Sequence, residues 1–317
     1  MKIIDLHCDT IHKIFHLKEK NLFKNTYSVD IQKLQKGNAA AQFFALFLDK
    51  DWIERKNYDI YTYTKEFYEV YRSKIQENEA FIHFAMNYND LVSNIENGKI
   101  SAFLTIEEGE FLQGKIDRLK EFYDLGLRLI TLTWNYENCI GFPNSKNHYS
   151  MKKGLKKFGF EVVERMNDLG MIIDVSHLSD GGFYDVISHT QKPVIASHSN
   201  AREIQNVPRN MSDDMIRKLA DVGGVMGINF YPHFLNNGNK SKIGSMVNHI
   251  EHIKRVGGIE SIALGTDFDG IEGQLEISNI GEIERLFDAL KDQGMKHNEI
   301  EKISWHNAAR IIRDGLN

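Results

Sequence analysis

The chain has 317 residues and a formal charge of −5, with its charges interspersed, so it carries neither a nucleic-acid footprint nor a polybasic membrane anchor. Its two cysteines, Cys8 and Cys139, cannot build a disulfide framework or a thiolate zinc site, and they suit a reducing cytoplasm. No stretch reaches the roughly 20 apolar residues of a bilayer span, Asp5, His7 and Asp9 interrupt the start where a leader would be apolar, and four scattered prolines without a Gly/Ser-rich linker argue for one domain over residues 1–317.

The first apolar run, "KIIDLH", leads into "HCDT", where alternation in an extended strand turns His7 and Asp9 to one face and Cys8 to the other. "AAQFFALFL" follows, then a helical pattern over residues 57–76, then "SAFLTIEEG" and "LRLITLTWN". The basic run "MKKGLKKF", residues 151–158, reads as a solvated helix face. Helical segments 157–170, 212–224 and 243–258 alternate with "MIIDVSH", "PVIASHS", "GGVMGINFY" and "SIALGTDFDG", several opening on Ser or Asp and closing on Gly. Eight apolar strands separated by helices predict an α/β fold with a parallel sheet covered on its faces, a single (β/α)8 TIM barrel.

A doubly wound open sheet would show the same periodicity. The polar residues decide between them. His7, Asp9, Glu107, Asn135, His177, His198, Tyr231 and Asp267 sit at the C-terminal ends of several different runs, where a barrel gathers its site, whereas an open sheet collects ligands near one switch point.

Taken singly, these residues are unremarkable. Glu107, Glu108 and Glu110 around Gly109 look like a solvated turn, and a histidine after a strand is usually a hydrogen-bonded rim residue. His177 and His198 in consecutive units, with His7 and Asp9 upstream and Asp267 downstream, reverse that reading. Imidazoles and carboxylates without thiolate suit zinc or another first-row metal, and six donors exceed the four of a closed structural site, so two metals fit better than one. Such a pair generates a nucleophile from water at neutral pH and hydrolyses amides, esters or phosphoesters. The other histidines, among them His12, His16, His249 and His252, show no spacing that converges on this set, and the last two read as helix surface.

"DLHCDT", "TIEEGE", "ITLTWN", "IIDVSHLS", "PVIASHSNAR", "NVPRNMSDD", "GINFYPHFL" and "LGTDFDG", in this order and over nearly the whole chain, resemble the membrane dipeptidase (renal dipeptidase) family of binuclear zinc peptidases, in a bacterial form. The resemblance implies an amidohydrolase-type barrel, a homodimer, and cleavage of dipeptides with tolerance of a C-terminal D-residue by a zinc-bridging hydroxide. It implies two Zn2+ ions, one on His7 and Asp9 and one on His177 and His198, with Glu107 between them. Asp267 would move the water's proton to the leaving amine. Arg209 would hold the substrate carboxylate, Trp134, Asn135 and Tyr231 would line the substrate, and Asp269 would support the site or cap a loop.

One position departs from the animal members, which carry a histidine where this chain has Trp134. An indole donates one hydrogen bond and cannot charge. The oxyanion role then falls to the metals alone, to Asn135 or Trp134, or to His148 on the long loop. Two other readings stand beside the dipeptidase. Another binuclear amidohydrolase, acting on lactones, cyclic amides or phosphoesters, would use the same metals, although many carry a bridging lysine that "ITLTWN" lacks. A non-enzymatic metal-binding barrel is opposed by six chemically competent site positions.

Overall fold

The computed structural model describes residues 1–316, and each of the eight apolar runs forms a strand in it. The strands are β1 (Ile3–Cys8), β2 (Ala39–Phe47), β3 (Ile100–Glu107), β4 (Leu127–Thr131), β5 (Ile172–Asp174), β6 (Ile195–Ser199), β7 (Val225–Ile228) and β8 (Ile262–Leu264). Each pairs in parallel with the next in chain order, and β8 returns to β1 through Leu264 and Asp5. The ring is therefore closed, and the open-sheet alternative is excluded. A short strand, Ile82–Phe84, pairs with the start of β3 before that edge passes to β4 at Leu104.

Every strand sends at least one apolar residue into a common buried cluster, among them Leu6, Phe43, Phe103, Leu129, Ile172, Ile195, Val225 and Ala263. Phe43 and Phe103 stack there with centroids 4.7 Å apart. Ala308, Ile311 and Ile312 of the last helix, Asn307–Gly315, join this cluster. Burial of each large side chain contributes about 1.5–3 kcal/mol, so the lower barrel is a packed floor beneath the polar rim.

Two register shifts matter for that rim. On β1, Asp5 pairs with Gln42 and Cys8 with Phe44, three steps against two. On β6, Ala196 pairs with Met226 and Ser199 with Ile228, again three against two. Each shift is a bulge, which inserts a residue and re-aims its neighbours. His7 lies in the first and His198 in the second. Strict alternation does not hold there: Leu6 belongs to the interior cluster, and His7, the next residue, also joins the site described below.

Three helices shape the cavity above: α1 (Thr10–His16), α2 (Lys50–Arg55) and α3 (Ile60–Glu77). Asp59 caps α3 by accepting from Thr62 N, so the expected 57–76 helix begins three residues later. The basic run 151–158 is not one helix face; a four-residue helix ends at Met151 and the next starts at Lys157. His249 and His252 are both buried, contrary to expectation: His249 bonds the Leu235 carbonyl and His252 the Asp213 carboxylate. The helix-packing face, which periodicity alone placed in solvent, needs these polar links to neighbouring elements. No helix among the described residues is long and apolar enough to cross a membrane.

Candidate metal centre

Six expected residues converge at the C-terminal rim. His7 and Asp9 come from the end of β1 and the turn into α1, Glu107 is the last residue of β3, and His198 lies in the β6 bulge. His177 and Asp267 each follow their strand by three residues and hold left-handed backbone, φ 66° and 60°. Such backbone is uncommon for non-glycine residues, costs on the order of 1–3 kcal/mol and clusters at functional sites. Gly270 lets the Asp267 loop close, because a Cβ there would stand 2.0 Å from Asp9 Oδ2 and 2.7 Å from Asp267 Oδ1.

Glu107 divides its two oxygens. Oε2 lies 3.5 Å from His7 Nε2, while Oε1 lies 3.0 Å from His177 Nε2 and 3.4 Å from His198 Nε2. Asp9 Oδ2 is 3.3 Å from His7 Nε2, and Asp267 Oδ1 is 3.9 Å from it. Two candidate ligand groups result, His7 with Asp9 and Glu107, and Glu107 with His177 and His198; a third joins His7, His198 and Asp267. The His7 and His198 rings stack 3.9 Å apart.

The residues fit divalent cations. His7 Nε2 and Asp9 Oδ1 are buried without a hydrogen-bond partner, an arrangement that is costly unless something else satisfies them. The two facing imidazoles carry the same implication. Ser197 Oγ donates to Asp174 Oδ2 at 2.5 Å, so at 2.7 Å it accepts from His198 Nδ1, and His198 Nε2 is left as a lone pair. His177 Nδ1 lies 3.1 Å from Asn135 Oδ1, which only accepts, so its Nε2 is also bare. Two lone pairs then face each other at 3.1 Å, beside a carboxylate oxygen. A cation between them would remove that repulsion.

The charges of the metal-free site point the same way. Burial opposes charge on His7, but the Asp9 and Glu107 carboxylates push it up to about 10. Burial, with the nearby Arg209 and His7 cations, drives His177 and His198 well down. Burial raises Glu107 well above the carboxylate range and lifts Asp267 to about 7.

The rim surrounds a cavity of about 540 Å³, lined by Asp9, Glu107, His177 and Asp267 and by Trp134, Asn135 and Tyr231. Arg209 does not line it. Its guanidinium is buried, donating to Ser199 Oγ at 2.6 Å and to the His198 carbonyl at 2.8 Å, while Nε has no partner. His148 is exposed at the start of the short 148–151 helix and is absent from the lining. Asp269 ties its loop to the start of α1 and to residues 28–29, accepting from Thr10 Oγ1, Ser28 N and Val29 N.

Several contributors escaped the sequence reading. Asp174 is fully buried and accepts from Thr131 Oγ1, Ser176 N, Ser197 N and Ser197 Oγ. Asn229 donates to Asp267 Oδ2 at 2.7 Å and fixes its orientation. Glu108, held near 7 by burial against its hydrogen bonds, receives Trp134 N, Glu110 N and Asn138 Nδ2, so it anchors the Trp134 loop while Glu107 faces the site. A charged residue inside the apolar run "MIID" was a signal for Asp174; nothing local marked Asn229.

Comparison with known proteins agrees with this geometry. The sequence profile of the membrane dipeptidase family, peptidase family M19, matches residues 1–315. An uncharacterised dipeptidase of Schizosaccharomyces pombe is 30% identical over 338 residues, covering 98% of this chain and 79% of the relative. Among solved structures, the metallopeptidase dipeptidase AC of family M19 superimposes with a TM-score of 0.89 at 21% identity, covering 100% of this chain and 99% of that one. A Rhodobacter sphaeroides metallopeptidase, solved with a phosphinate mimic of the dipeptide L-Ala-D-Ala, gives a TM-score of 0.86 at 20% identity over 100% of this chain and 99% of that one. With the family profile spanning the barrel and all six rim donors, the chain belongs to the membrane dipeptidase (M19) family of metallo-dipeptidases and is a hydrolase.

Proposed function

We propose that the protein hydrolyses the peptide bond of free dipeptides, including those with a C-terminal D-residue, with two zinc ions at the rim. The observation that carries this reading is the division of Glu107, one oxygen toward His7 and the other toward His177 and His198. His7 and Asp9 would hold one ion, His177 and His198 the other, and Glu107 both. Two such ions supply Lewis acidity, a water acidified to neutral pH and charge stabilisation for the addition step. The mimic bound to the R. sphaeroides relative supports a dipeptide of L,D configuration.

The chain's own residues do the rest. Asp267, oriented by Asn229, takes a proton from the attacking water at Oδ1 and hands it to the leaving amine nitrogen. Asn135 and Tyr231 border the bound peptide, and the Trp134 indole Nε1–H offers a neutral hydrogen bond where a histidine could charge. Arg209 braces the His198 carbonyl and adds positive charge behind the site. Its buried Nε has no partner, which leaves a donor for the terminal carboxylate of a dipeptide.

Metal analysis of the purified protein, paired with assays on Ala-Ala, Gly-D-Phe, homoserine lactone and paraoxon with and without chelator, tests this. Near two zinc ions per chain and chelator-sensitive hydrolysis of the dipeptides alone are expected. Preferential turnover of the lactone or the phosphotriester would replace the dipeptidase reading with that of another binuclear amidohydrolase.

A further inference from the structure

Beside the main cavity lies an annex of about 290 Å³, lined by His12, His16, Phe47, Asp49, Trp52 and Tyr63. Four of these, His12, His16, Phe47 and Asp49, also line the main cavity, so the two spaces share a wall. Phe47 is the β2 residue paired with Glu107. The annex therefore opens beside the carboxylate that faces both ligand groups, within reach of a substrate side chain. None of the six residues was marked by the sequence, because they come from α1, the end of β2, α2 and α3, which only the fold brings together.

Its chemistry is one-sided. Phe47, Trp52 and Tyr63 supply aromatic rings, with the His16 ring 5.3 Å from Trp52 at 90° and the His12 ring 5.1 Å from Phe47. Tyr63 Oη is occupied by His16 Nε2 at 2.6 Å, which fixes both rings. Burial lowers both histidines, His12 to about 4, so neither repels a cation at neutral pH. Asp49 is the single lining residue with a formal charge. Its Oδ1 accepts from Trp52 N at 3.0 Å as the cap of α2, and its other oxygen has no partner among the described residues. Lys56 Nζ stands 5.9 Å from the Trp52 ring without entering the lining. Ring faces with one carboxylate and no internal cation make a cage for a positive group.

We infer that this annex is a side-chain subsite that selects dipeptides carrying lysine or arginine, the cation seated among the rings and against Asp49. The inference rests on the dipeptidase reading for its substrate and on the annex alone for its selectivity.

The test compares kcat/KM of the zinc-loaded protein for Lys-Ala and Ala-Lys with that for the uncharged norleucine counterparts, in wild type and in Asp49→Asn. Asparagine keeps the helix cap, since it also accepts from the backbone N–H. The expected result is a lysine-to-norleucine ratio of about tenfold at one of the two positions, falling toward one in Asp49→Asn. A purely structural effect would lower both substrates together and leave the ratio unmoved, which overturns the inference. So does a wild-type ratio at or below one at both positions, or a preference for phenylalanine dipeptides over lysine ones. If no dipeptide is hydrolysed, the dipeptidase reading falls by itself. Calorimetry with lysinamide then decides the annex: binding lost in Asp49→Asn upholds it, and absence of binding by the wild type overturns it.

Discussion

The Ser197 hydroxyl lies between Asp174 and His198, giving its proton to the carboxylate at 2.5 Å and receiving one from the imidazole Nδ1 at 2.7 Å. This sets which nitrogen of His198 is bare, and it does so from inside the β6 bulge that turns the ring toward Glu107. Such outer partners typically change metal affinity by about 10-fold to 100-fold. Ser197→Ala should therefore weaken zinc binding at the group that includes His198 by about that factor while far-UV circular dichroism stays unchanged. Unaltered zinc affinity would mean that the His198 tautomer is fixed by something else.

Asp267 tests the proton path separately from the ligands. Asp267→Asn preserves the size of the side chain and its contact with Asn229, and removes the carboxylate that would carry the proton. Turnover should fall by about 10²-fold to 10⁴-fold, with zinc content retained and KM little changed. A variant that keeps full kcat removes Asp267 from proton transfer.

Much of this was legible in the chain, for physical reasons that differ from place to place. The eight strands announced themselves because parallel barrel strands are buried on both faces, which leaves near-continuous apolar runs such as "MIID" and "PVIAS", with polar residues only where each strand reaches the rim. His7 and His198 could be picked out as rim residues, but the bulges that aim them could not, since one inserted residue leaves no local mark. Asp174, Asn229 and Glu108 act through partners between 26 and 43 residues away in sequence, so their function exists only once the ring has closed. Arg209 has contacts that its motif did not mark: beside the substrate role the motif suggested, two of its five N–H donors go to Ser199 Oγ and the His198 carbonyl, which only the folded ring brings near it.

That arrangement gives Arg209→Ala a specific signature. Removing a buried guanidinium strands the Ser199 hydroxyl and the His198 carbonyl, at a cost of about 1–3 kcal/mol per group left unsatisfied. The variant should melt several degrees lower and bind zinc more weakly, and kcat should fall on every dipeptide. A change confined to KM, with stability and zinc affinity intact, would instead identify Arg209 as a carboxylate anchor.

The metal-free site also fixes how stability responds to pH. His7 is about 10 in the fold and near 6.5 when unfolded, so its contribution is full below about 6.5 and is lost as pH rises through 10. His177 and His198 are depressed in the fold and act in the opposite sense, but only below about 6.5, where the unfolded chain would charge them. Between about pH 7 and 9 the fold without zinc thus holds a proton on His7, and a further one that burial keeps on Glu107, that the unfolded chain does not hold, and stability should fall by roughly 1.4 kcal/mol per pH unit for each such proton. Ligation requires His7 without that proton, so zinc uptake near pH 7 should release it, and zinc affinity should rise with pH over the same interval. Calorimetric titrations of zinc in buffers of different ionisation enthalpy measure the released protons directly. A value near zero at pH 7 would show that His7 is already neutral and that Asp9 and Glu107 do not hold a proton on it.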